Sequence, residues 1–191
     1  MQFVNIHTHR PTGRHIEPTA VGVHPWEALT GDFQSAEQHF GEADFIGETG
    51  LDYACNVPRD AQEVLFLKHL EAAVRLGKPV ILHCVRAFEP MMKILERYPL
   101  RAVVFHGFIG SQQQAAQALR RGYYLSFGHK SFASPRSVEA LRAAPVERLF
   151  LETDDSDIPI ERIYEQAAEV KQLTLTDLQD QLLKNLQRIS R

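Results

Sequence analysis

Seven short runs rich in apolar, β-branched and aromatic residues recur along the 191 residues: FVNIH, AVGVH, DFIGE, PVILHC, AVVFHG, YYLSFG and RLFLETD. Most are separated by segments with helical spacing. Runs so uniformly apolar do not suit a sheet with one wet face; they suit parallel strands covered on both sides, and strand–helix alternation is how such strands are connected. In DAQEVLFLKHLEAAVRLG, residues Val64, Leu67, His69, Leu70 and Val74 share a stripe, and Gly77 supplies the stop. EPMMKILERY, SQQQAAQALRRG and SPRSVEALRAA are helical in the same way. After Pro159, IERIYEQAAEVKQ and TLTDLQDQLLKNLQRIS read as two more helices, the second capped by Thr174 or Thr176 ahead of Asp177. The pattern predicts an α/β fold of the parallel-barrel kind, in one continuous domain over residues 1–191. The chain falls short of the roughly 250 residues usual for eight closed strands. The gap lies in RPTGRHIEPTA, residues 10–20, whose prolines and glycine leave no helix between the first two runs.

Composition narrows the function. A hydrophobic content of 44% and a charged content of 24% are ordinary globular values. The formal net charge of -3 excludes a basic footprint along the whole molecule. A local basic rim is left to Arg10, Arg14, Arg86, Lys130 and Arg136. No apolar run approaches the roughly 18 residues needed to span a bilayer, and MQFVNIHTH carries no basic leader, so a cytoplasmic protein is expected. Cys55 and Cys84 are far apart, without C-x-x-C spacing, and read as reduced packing thiols.

The chemistry gathers at strand ends. In VNIHTH, His7 and His9 stand two apart and would project from one face of an extended strand. His24, Glu48, His83, His106 and Asp154 likewise follow or close an apolar run. In a parallel barrel all those ends open on one face, so residues distant in sequence converge there. A lone histidine in an apolar run is more often a satisfied core residue than a ligand; the repetition reverses that preference. Glu48 and Asp154 would be costly to bury unpaired, and a divalent cation supplies the partner. His15, His39, His69 and His129 lack this placement, and His39 and His69 read as helix-surface residues.

Taken in order, IHTH, GVHPW, IGETGLD, PVILHC, VFHGF and LETDD resemble the motifs of the TatD family of metal-dependent hydrolases, whose members are associated with deoxyribonuclease activity. Asn185 near the end of the helical tail is also similar to the family pattern. The resemblance implies a TIM-barrel-like metal-dependent hydrolase fold, here with seven parallel strands and an abbreviated first βα region. It implies two divalent ions (zinc, manganese, magnesium or nickel), one among His7, His9, Glu48 and Asp154, the other among Glu48, His83 and His106, with Glu48 bridging. Asp154 and Glu48 are then the catalytic carboxylates, Asp154 taking a proton from the attacking water, while His24, Asp52 and Arg86 face substrate. The implied activity is a phosphodiesterase or deoxyribonuclease acting on single-stranded or terminal nucleic acid.

The chain departs from the family in four places, one of them the brief loop after LETDD, which runs almost directly to IPIERI and removes a wall that would help hold substrate. Asn5 replaces the usual Asp before the first histidine pair, Val85 stands where an Arg often follows the third-motif histidine, and only residues 10–21 separate H-x-H from G-x-H-P. The shortened barrel has an exposed flank that a homodimer would cover. The alternatives are a hydrolase of a small amide, lactone or phosphoester using the same chemistry, and a non-catalytic metal-binding interaction module.

Overall fold

The computed structural model describes residues 2–190. Their contacts divide into two compact units, Thr19–Phe105 and a second made of the chain up to Pro18 with the chain from His106 onward. Among the described residues no helix is long and apolar enough to cross a membrane.

The Thr19–Phe105 unit carries four strands, β1 (Ala20–Val21), β2 (Phe45–Asp52), β3 (Val80–Val85) and β4 (Val103–Phe105), each parallel to the next in chain order. Helix α1 (Phe33–His39) precedes β2, α2 (Arg59–Leu76) joins β2 to β3, and α3 (Phe88–Leu95) joins β3 to β4. Phe45, Ile46, Leu51, Val80, Ile81 and Leu82 are wholly buried, as strands covered on both faces require. Asp32 caps α1 by accepting from the Ser35 amide. Gly77 ends α2 in the left-handed region, its N–H directed to the carbonyls of Ala73 and Val74.

The buried face of α2 differs from the stripe expected of the sequence. It carries Gln62, Leu65, Phe66, His69, Leu70, Ala72 and Ala73, while Val64 is exposed. His69 is therefore a core residue, not a surface one. Its Nδ1 donates to the Leu65 carbonyl at 2.9 Å and its Nε2 accepts the Val23 amide at 3.0 Å. Rings of Phe33 and Phe40 lie 5.0 and 5.7 Å away. With both ring nitrogens satisfied in the neutral state, the imidazole is buried as a polar group with partners, which lifts the usual cost. His39 does sit exposed at the end of α1.

The other unit holds α4 (Gln112–Arg120), β5 (Tyr124–Phe127), α5 (His129–Phe132), α6 (Pro135–Ala143), β6 (Leu149–Leu151), α7 (Ile160–Lys171) and α8 (Leu175–Ser190). Ser111 and Gln114 form a capping box on α4, Ser134 caps α6, and Thr174 accepts the Asp177 amide at the start of α8. Strands β5 and β6 pair in parallel, Leu125 opposite Leu149. Six of the seven apolar runs thus become strands. The first, FVNIH, runs extended but is held by single bridges and separate hydrogen bonds: Val4 pairs with Ile16, Thr8 with Asp154, and the Ile6 amide donates to the Leu151 carbonyl at 3.1 Å. Residues 10–18 form no helix, in keeping with their prolines. Instead the Glu17 carboxylate ties the turn by accepting from the amides of Thr12 and Gly13 and the Thr12 hydroxyl.

Candidate functional site

Within the Thr19–Phe105 unit the candidate residues meet at the C-terminal end of β2 and β3. The ladder between these strands shifts register between Ile46 and Thr49, so Glu48 stands at a bulge, a device that re-aims a side chain. Two glycines make the approach of the strands feasible. A Cβ on Gly47 would lie 2.5 Å from the Ile81 carbonyl oxygen and one on Gly50 2.1 Å from that of His83, and both have positive φ, 149° and 144°. Glu48 Oε1 consequently reaches His83 Nδ1 at 2.7 Å and His24 Nε2 at 3.3 Å.

Asp52, only 4% exposed, closes β2 beneath this group. Its Oδ2 accepts from the indole Nε1 of Trp26 at 2.7 Å and lies 3.2 Å from His83 Nε2, while Oδ1 accepts the Ala54 amide at 2.8 Å. Burial pushes its carboxyl upward, but the hydrogen bonds from Trp26, Ala54 and His83 outweigh that and hold it below the usual carboxylate value. Asp52 offers an acceptor to a proton on His83 Nε2, and in that tautomer Nδ1, which faces Glu48, is the ligand edge. Arg86 is exposed beyond β3 at φ 51° and takes no part in this hydrogen-bonded set.

The second unit assembles its own group. Asp154 has φ 54°, its amide donates to the His7 carbonyl at 3.1 Å, and its carbonyl accepts the His9 amide at 2.9 Å. This clasp brings Asp154 Oδ1 to 3.4 Å from His9 Nε2 and 3.9 Å from His7 Nε2. The His7 ring also lies 4.9 Å from that of His9 and 4.6 Å from that of His106. Lys130 Nζ sits 3.5 Å from Asp154 Oδ2 and 2.9 Å from Asp155 Oδ1. Arg10 is paired with Asp157, and Arg14 and Arg136 are exposed, so the expected basic rim is partly neutralised by its own neighbours.

Two residues shape this group in ways the sequence does not announce. Glu152, fully buried, accepts the Gly107 amide at 2.6 Å and approaches His106 Nδ1 at 3.2 Å. Burial pushes its carboxyl upward, but the charge and hydrogen bond of His106, helped by His7 and Ser126, bring it below the ordinary value. Asn5 does more than replace an acid. Its Oδ1 accepts the Thr153 amide at 3.0 Å and its Nδ2 donates to Thr153 Oγ1 at 2.9 Å, while that hydroxyl donates to Thr8 at 3.0 Å. The amide thus locks the segment bearing Asp154 against the one bearing His7 and His9, and a carboxylate cannot supply the donor half.

Both groups pass a chemical test for a divalent cation. His7, His9 and Asp154 each offer a ligand atom within 4.8 Å of the others, and so do His24, Glu48 and His83. Imidazole nitrogens with one carboxylate oxygen suit a borderline to hard divalent ion and need no sulfur. Both cysteines are free, and burial pushes the Cys84 thiol up to about 12, which keeps it an inert thiol. His24, expected on the substrate side, stands among the ligand-capable residues; the signal was present in GVHPW, where it closes an apolar run.

A family model described as TatD related DNase matches residues 15–191. Among similar proteins, the 3'-5' ssDNA/RNA exonuclease TatD of Cronobacter sakazakii is 36% identical over 147 residues, covering 71% of this chain and 56% of that protein. The deoxyribonuclease Tat-D of Schizosaccharomyces pombe is 35% identical over 120 residues, covering 60% and 38%. The uncharacterized metal-dependent hydrolase YabD of Bacillus subtilis is 30% identical over 166 residues, covering 76% and 64%. The chain therefore spans only part of the length of these relatives. The crystal structure of YJJV, a TatD homolog from Escherichia coli K12, superposes with a TM-score of 0.82 at 27% identity, covering 91% of this chain and 76% of that one.

Proposed function

This chain belongs to the TatD related DNase family, and on that premise we propose that it is a metal-dependent phosphodiesterase that cleaves single-stranded or terminal nucleic acid. The observation that carries the reading is the gathering, within each unit, of two histidines and a carboxylate with ligand atoms inside 4.8 Å. His7, His9 and Asp154 would hold one divalent ion and His24, Glu48 and His83 another. Such an ion supplies Lewis acidity toward phosphoryl oxygen and makes water a stronger acid.

The chain's own groups do the rest. Asp154, clasped by backbone bonds to His7 and His9, accepts the proton of the attacking water through the oxygen left to it. Lys130, 3.5 Å from that carboxylate, offers a cation to a phosphate oxygen. Asp52 fixes the proton on His83 Nε2 and so the orientation of the ring that Glu48 meets on its other edge. His106, held by Glu152, lies against His7 and limits the rotation of that ring.

The test is a metal and substrate panel. Metal content of the purified protein is measured; chelated protein is then given zinc, manganese, magnesium or nickel and offered labelled single-stranded DNA, RNA and a generic phosphodiester. Hydrolysis of a nucleic acid that disappears on chelation and returns with metal is expected. A metal-replete protein that cleaves amides or lactones but no phosphodiester overturns the proposal, as does one that binds no metal.

A further inference from the structure

Trp26 is 60% exposed, the one aromatic among the exposed large apolar side chains of the described residues. Its placement is nevertheless fixed. Pro25 opens a 3-10 turn over Pro25–Glu27, and His24 Nδ1 accepts the Trp26 amide at 3.2 Å. The indole Nε1 donates to Asp52 Oδ2 at 2.7 Å, the same oxygen that meets His83. The ring stands 4.6 Å from that of His24 and 6.1 Å from that of His83, steeply inclined to both at 79° and 75°. One edge of the indole is thus pinned by a buried carboxylate that also orients a candidate metal ligand, and most of its surface is left to solvent.

We propose that Trp26 is a stacking platform for an unpaired nucleobase beside the His24, Glu48 and His83 group, an inference that rests on the nucleic-acid reading above. Every base has a π-face, so a fixed indole grips a single strand with little regard for sequence, and a base inside a duplex is not available to it. A side chain already immobilised by a hydrogen bond gives up little conformational freedom on binding. The need for such a grip is set by charge: with a net charge of -3, with Arg10 paired to Asp157 and with the Lys130 cation shared with Asp155, phosphate attraction alone is weak.

Trp26 is the chain's single tryptophan, which makes the platform its own reporter. Chelated protein, unable to turn over, is excited where tyrosine does not absorb and titrated with a short oligothymidylate or with an abasic strand of equal length and charge. Saturable quenching by oligothymidylate, and none by the abasic strand at the same concentration, is expected. Trp26→Phe, which keeps a π-face but loses the bond to Asp52, weakens the affinity for labelled oligothymidylate in an anisotropy titration less than Trp26→Leu, which weakens it about 5- to 150-fold, the span that a stacked base is worth. Equal quenching by both strands, no quenching by either, or equal affinity in Trp26→Leu overturns the platform. So does an emission change that follows protein concentration and not oligonucleotide, which would mark Trp26 as a contact between two copies of the chain. Metal-restored cleavage of single strands without quenching would refute the platform and leave the nuclease reading standing; quenching without cleavage under any metal would do the reverse.

Discussion

His69 makes the protein sensitive to acid at a point remote from its carboxylates. Burial depresses its folded-state pKa to about 4, against a weaker upward pull from the hydrogen bond to Leu65. In the unfolded chain a histidine titrates near ~6.5. Between those values the unfolded chain binds a proton that the native one refuses, so stability rises with pH: it is fully present above about 6.5 and is lost progressively as pH falls toward 4. A gap of roughly two and a half pH units, at 1.36 kcal/mol for each, is worth about 3 kcal/mol, or some 6–12 °C in melting temperature for a chain of this size. The assay is thermal unfolding across that pH range for the wild type and His69→Gln, which retains an acceptor but does not titrate. The wild type should lose that much more than the variant, and exchange of the Val23 amide, whose acceptor is His69 Nε2, should quicken in step. Parallel profiles for the two proteins, or a His69 ring that titrates near its unfolded value by NMR, would refute the reasoning.

Asp154→Asn should retain most bound metal and lose most turnover, because an amide coordinates weakly but takes no proton; metal analysis beside single-turnover kinetics separates the two effects. Glu48→Gln should instead lower metal occupancy, read by the same analysis, since it weakens the group shared with His24 and His83. Asn5→Asp, which restores the acid usual in the family, should cost about 1–3 kcal/mol in urea unfolding, because the carboxylate keeps the bond from the Thr153 amide but cannot donate to Thr153 Oγ1. Asn185→Ala should cost about 2–4 kcal/mol by the same measurement, since it strips donors from the carbonyls of Val146 and Leu149 where α8 meets β6; a loss below about 1 kcal/mol would show that water replaces them.

The strands and most helices were legible because their signals are local: a run of β-branched residues, apolar residues at helical spacing, a glycine after the last apolar turn. The ligand-capable residues were legible because each closes such a run, and the short crossover because prolines crowd it. What was hidden depends on partners far along the chain. Glu152 looks like an ordinary strand-end acid until the Gly107 amide, contributed from a distant turn, is brought to it. His69 was misplaced because α2 buries Gln62 and exposes Val64, so its apolar residues do not trace its inner face. The first run reads like any other strand, yet its hydrogen bonds go to Ile16, Leu151 and Asp154 and never form a ladder. Asn5 read as a lost charge, and its two-way bond to Thr153 could be seen only once residues 148 apart were side by side.

That separation sets an order of events when the chain is made. The Thr19–Phe105 unit is contiguous, so all of its strands, with His24, Glu48 and His83, are synthesised before α4. His7 and His9 are made earlier still, but Asp154, Thr153 and the Tyr164 hydroxyl that accepts the Val4 amide are made only after that unit. Seating His7 and His9 thus requires closing a loop between residues 160 apart, Val4 and Tyr164. Until residue 154 is added, one ligand group has all its members within a contiguous stretch and the other lacks its carboxylate.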